Sequence, residues 1–85
     1  MKITKKDIIN GKYNKKIPKN TKLVILDRNL GEVIFTKKID INGKLVIKEG
    51  TVVLSNANVM RVKKLEVLGQ IVNNNNKTFM IFIGQ

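Results

Sequence analysis

The stretch Lys44-Leu45-Val46-Ile47, running on to Gly50 and followed by apolar runs at 52–54 and 59–62, decides the fold. Each run is too short for a helix and is bounded by turn-forming or charged residues, which is the signature of short strands. The opening phrase recurs as Lys22-Leu23-Val24-Ile25 and, with one change inside, as Lys64-Leu65-Glu66-Val67. Every copy leads to a glycine (Gly31, Gly50, Gly69), then to a second apolar run and a third. A unit of roughly 20 residues with a few short strands each is the period of a solenoid, in which stacked coils bury a shared core.

Working outward, the chain is expected to be all-β: a short three-coil β-solenoid over residues 22–85, with residues 1–21 as a basic N-terminal segment or cap. Leu23, Leu45 and Leu65 would stack inside, as would Ile25, Ile47 and Val67, and residues 78–83 would close the third coil. Thr4 followed three residues later by Asp7 predicts a short helix over 5–10, with Gly11 as its stop. Pro18 excludes a central strand or helix interior in the turn-rich stretch around it. A small antiparallel meander or barrel is the alternative. In it, Asn42-Gly43 forms a type I′ hairpin turn and residues 73–76 form a second hairpin loop. The solenoid is favoured because second and third runs follow each copy of the repeat.

Composition supports strands and limits the chemistry. Among 85 residues there are twelve Ile and one Ala, a bias towards side chains already restricted at χ1. One domain is expected at this length. Cysteine and histidine are both absent, which removes thiol nucleophiles, the usual zinc sites and the commonest general base. No metal or cofactor is expected. The six acids, Asp7, Asp27, Glu32, Asp40, Glu49 and Glu66, are scattered, and Ser55 is the only serine. A two-carboxylate mechanism needs its acids held together across a bond, and nothing in the sequence places them so. The expectation is a non-enzymatic binding protein. No apolar stretch approaches the ~20 residues that span a bilayer, and no signal sequence opens the chain, so a cytoplasmic location is expected.

The net charge is +11, from fifteen Lys and two Arg against six acids. A field of this size attracts polyanions and exceeds what solubility alone requires. It is uneven. Residues 1–22 hold eight Lys and one acid. The candidate anion-binding residues are Lys5, Lys6, Lys12, Lys15, Lys16, Lys19 and Lys22, with Tyr13 among them as a surface for base stacking. A second cluster adds Arg61, Lys63 and Lys64, and a pair adds Lys37 and Lys38. Stacked coils would align Lys22, Lys44 and Lys64 in one column, which repels itself unless an anion lies beside it. Lysines act as point charges on phosphates, and with only two Arg little base-specific readout is expected.

RNA, or a nucleoprotein complex, is therefore the expected partner, with an acidic protein surface as another and a membrane excluded for want of a long amphipathic face. A monomer or homodimer is expected. A phage-type inhibitor of an RNA-guided nuclease is the alternative function, and a self-assembling structural solenoid a further one.

Overall fold

The computed structural model describes residues 1–73 and 78–84. It is a β-solenoid of four coils with three faces. One face is a parallel sheet of β1 (Lys2–Ile3), β3 (Leu23–Leu26), β5 (Lys44–Ile47) and β8 (Lys64–Val67), in that order. The second is a parallel sheet of β2 (Lys12–Tyr13), β4 (Gly31–Phe35), β6 (Thr51–Ser55) and β9 (Gln70–Asn73). The third pairs β7 (Val59–Val62) with β10 (Met80–Ile83) and continues upward through a bridge between Asp40 and Arg61. The amide of Asn42 donates to the carbonyl of Lys19 at 2.8 Å, which carries this face on to the first coil. No described helix is long and apolar enough to cross a membrane.

The repeat therefore sets an all-parallel stack, and the antiparallel meander is not formed. Residues 1–21 are not a separate cap but a coil of their own, because β1 pairs with β3 and β2 with β4. This makes four coils where three are expected. The predicted helix shrinks to a single 3-10 turn over Lys5–Asp7. Its start is the expected one: Asp7 accepts the Thr4 amide at 2.8 Å and the Thr4 hydroxyl at 3.3 Å. The bond from the Thr4 backbone, chiefly, holds the Asp7 carboxyl below its ordinary value. Gly11 does not stop a helix. Asn10 and Gly11 both have positive φ, 53° and 75°, and close a tight turn in which Ile9 and Lys12 exchange both backbone bonds at 2.9 Å. That is the hairpin chemistry of an Asn-Gly pair.

Asn42-Gly43 behaves differently. It forms the corner between the third face of one coil and β5 of the next. A Cβ on Gly43 would collide with the carbonyl groups of Thr21 and Lys22 in the coil above. Glycine stands here for the approach of two backbones, not for a hairpin. At another corner, Gly50 takes φ 79°, and a side chain there would strike Asn29 as well. Thr51, fully buried, closes that corner by donating to the Asp27 carbonyl at 2.6 Å and accepting from the Leu30 amide at 3.1 Å.

The core is a set of vertical stacks. Ile3, Leu26 and Ile47 align on the first face, as do Val24 and Leu45. Val33 and Val53 align on the second, and Tyr13, Phe35 and Ser55 form a further stack there. Ile39, Ile41, Met60 and Val62 line the third from inside. In the second coil the register differs by one residue from the expected one. Leu23 pairs with Lys44 and Val24 with Leu45, so Leu23 is 41% exposed while Val24 and Leu26 are buried. A run of four apolar residues offers an apolar pair on either parity. The parity adopted keeps Asp27 on the outside, whereas the other would carry its carboxylate inward. The consequence is that Lys22 does not join the column of Lys44 and Lys64.

Replacing Gly43 by Ala is expected to destabilise the fold by about 1–3 kcal/mol, the usual cost of forcing a methyl into packed backbone. Urea unfolding measures it. An unchanged midpoint would mean that the corner has room to open.

Candidate polyanion interface on the third face

Outward-facing residues of a strand alternate with the buried ones. On the third face Ile39, Ile41, Met60 and Val62 point in, so Lys38, Asp40 and Arg61 point out. Register places Asp40 beside Arg61 and Arg61 beside Phe82, giving one outward column across three coils. The Arg61 guanidinium lies over the Phe82 ring, 4.5 Å from its centroid. Next to this column, the turns at residues 16–19 and 37–40 come together and wall a cleft of about 270 Å3. Lys16, Lys19, Lys37 and Lys38 surround it, with Ile17 and Asp40 completing the wall.

Four ammonium groups against one carboxylate leave the cleft positive. Lys38 reaches Asp40 at 4.0 Å, with half of the lysine side chain still exposed, so this pair neutralises little. The cleft is small for a drug-sized ligand, whose pockets run upward from ~300 Å3. Its size and lining suit a phosphate group with part of its backbone. Beside it, the Arg61 guanidinium sits over the outward-facing Phe82 ring, a cation–π contact of the kind that also recurs in single-strand binding.

The remaining basic residues are distributed over the other corners. Lys5 and Lys6 sit on the 3-10 turn, and Lys12 points out from β2. Lys15 adjoins Lys16 at the corner between the second and third faces. Lys22 and Lys63 lie at the corner between the third face and the first, with Lys64 opening β8. Lys44 and Lys64 are direct neighbours in register, and the expected self-repulsion is relieved within the chain: Glu66 accepts from Lys44 Nζ at 3.2 Å. Arg28 and Glu49 pair at 3.8 Å on the opposite corner. Around the cleft of the third face four lysines stand against one acid, Asp40.

Tyr13 does not belong to this surface. It is 3% exposed and packs against Phe35 with ring centroids 5.2 Å apart. Its place in the inner stack above Phe35 leaves no ring face for a base. The aromatic ring on this face is Phe82, which lies under Arg61. Sequence reading misses it because Met80-Ile81-Phe82-Ile83 is apolar on both parities, and only pairing with β7 shows which parity is outside. Ser55 is buried and exchanges hydrogen bonds with the backbone of Ala57 at 3.3 Å, a corner-forming role. The loop expected over 73–76 falls outside the described residues except for Asn73, which lies on β9.

Burial, more than the nearby Asp7 charge, pushes the Tyr13 phenol above its ordinary 10.0. A raised acid favours the neutral form in the folded state, so the stabilisation is whole below pH ~10 and is lost as pH rises through the folded value. Titration followed at the phenolate absorbance is expected to show Tyr13 ionising above 10 and together with unfolding. Ionisation at the ordinary value with the fold intact would place the ring at the surface.

The chain matches no family model, no curated protein and no solved structure, so its face and cleft are interpreted on their own chemistry.

Proposed function

We propose that the chain binds single-stranded RNA along the third face, with phosphates at the cleft and a base on Arg61. The observation that carries this reading is the convergence of Lys16, Lys19, Lys37 and Lys38 on one cleft. These residues come from two coils, and the fold brings them to line one cleft. Like charges held together cost energy in the free protein and are relieved when an anion enters. Lysine-dominated contacts position a backbone without reading sequence. The stack of Arg61 on Phe82 favours an unpaired strand, because duplex bases present no open face.

The test is fluorescence anisotropy with labelled single-stranded RNA and duplex RNA at low and near-physiological salt. Binding is expected to favour the single strand and weaken with salt, log K changing by about 0.7 per phosphate neutralised. The Lys16→Ala/Lys38→Ala double variant should lose about two such contacts, lowering the salt slope by roughly 1.4. A Lys5→Ala/Lys48→Ala variant removes the same charge from another corner and should keep the slope nearly intact. Phe82→Ala removes the ring beneath Arg61 and is expected to weaken binding by about 1–3 kcal/mol, the worth of one base stack. Equal losses from both double variants would dismiss the face as the site. No binding at low salt would dismiss RNA altogether.

A further inference from the structure

The fourth coil differs from the three above it. Residues 1–64 hold sixteen basic and five acidic side chains; residues 65–85 hold one of each, Lys77 and Glu66. The whole net charge of +11 thus belongs to the first three coils and the start of β8, while the rest of the last coil is neutral. It is also apolar on the side where a fifth coil would lie. Inner stacks that are sealed above open at this end: Val67 continues the stack of Ile47, and Ile83 that of Val62. Ile47 and Val62 are buried, yet Val67 is 40% and Ile83 51% exposed. Ile81, below Met60, is 38% exposed for the same reason, and Leu68 at the neighbouring corner 55%.

The backbone at this end points the same way. β8, β9 and β10 are each the last strand of their sheet. The amides of Met80 and Gly84 turn back to Asn58 and Val62 of the preceding coil, at 2.8 and 2.9 Å. Alternate amides of a parallel strand point to opposite sides, so those of Ile81 and Ile83 are directed at the open end. On β8, Lys64 and Leu68 donate to the coil above. Leu65 and Val67 therefore direct their amides outward by the same alternation. What covers this end must offer several strand edges at once, a matching apolar interior and no demand for charge.

We propose that a second copy of this chain covers it, joined through the same end of both protomers. A two-fold axis across the end sets each outgoing strand antiparallel to one of the partner's, which permits continuous hydrogen bonding. Such an isologous contact closes on itself. Charge and strand length decide against the other arrangements. Joining the opposite ends would bring together the first coils, with Lys2, Lys5, Lys6 and Lys12 on each. Head-to-tail stacking would set four-residue strands against the two-residue β1 and β2. Pairing of the neutral ends keeps the two +11 charges furthest apart and leaves the lysine cleft of each protomer open. The lysine cleft lies on the first two coils, so the pairing of the last coils does not depend on RNA binding, although β10 also carries Phe82 on its outer face.

Sedimentation equilibrium of the whole chain, from low micromolar to near-millimolar, is expected to give a mass of twice 9.6 kDa without larger species. Val67→Lys/Ile83→Lys should return the mass to a single chain, whereas Ile9→Lys, on the first coil, should leave the dimer intact. Hydrogen exchange provides a second readout that needs no variant. The amides of Leu65, Val67, Ile81 and Ile83 should be protected at high concentration and lose that protection on dilution, while those of β5 and β6 stay constant. A monomer throughout the range, an open-ended series of larger species, or a dimer whose four amides exchange freely would each overturn the proposal.

Discussion

Every coil of this protein must return its chain to a point directly beneath where it started, ~4.8 Å lower, so that parallel strands meet in register. The rest of the structure depends on that closure. Parallel ladders gain their stability from burial on the inner side, and burial requires each apolar residue to stand on one of its own kind. Corners carry the burden of closing. Gly43 lets one coil touch the carbonyls of the coil above, and Gly50 turns with positive φ beside Asn29. Thr51 ties the backbone of its corner together with its own hydroxyl. Gly43, Gly50 and Gly69 mark where successive coils come closest.

The outer surface follows from the same closure. Once alternate residues are committed inward, everything else must face water, and a chain with fifteen lysines places most of them at corners and on outer columns. Some of the resulting repulsion is balanced locally, as where Glu66 meets Lys44 and Glu49 meets Arg28. On the third face it is not. There the only acid is Asp40, and its exposed contact with Lys38 offsets little of the charge around the cleft. An uncompensated cluster on a rigid surface is the physical basis of the RNA-binding proposal.

The two ends of the stack are unequal for a reason that is also visible in composition. The first coil has short strands, a tight Asn10-Gly11 turn and a 3-10 turn, so little regular edge is left there. Its inner residues, Ile3, Tyr13 and Ile17, are nevertheless sealed. The last coil has full-length strands and inner residues half open to solvent. An exposed, regular, apolar strand edge pairs readily with another edge. The closed two-fold contact proposed for it would satisfy that tendency without producing a fibre.

Strand content, the repeat and the lysine excess were all legible in the sequence, because each is a local property: apolar runs of three or four residues, glycine at intervals, charge along the chain. The coil count was underestimated because residues 1–21 carry no copy of the Lys-Leu-Val-Ile phrase, and only pairing of β1 with β3 reveals the first coil. The cleft was half legible. Lys16, Lys19, Lys37 and Lys38 stood among the candidates, but so did Lys5, Lys12 and Tyr13, which the fold sends elsewhere. Parity was the chief thing the sequence by itself did not determine. In Leu23-Val24-Ile25-Leu26 and in Met80-Ile81-Phe82-Ile83 both faces are apolar, so either could have been the core. Tertiary structure decided it, because only the neighbouring coil's hydrogen bonds set which residue stands over which, and a shift of one residue exchanges inside for outside.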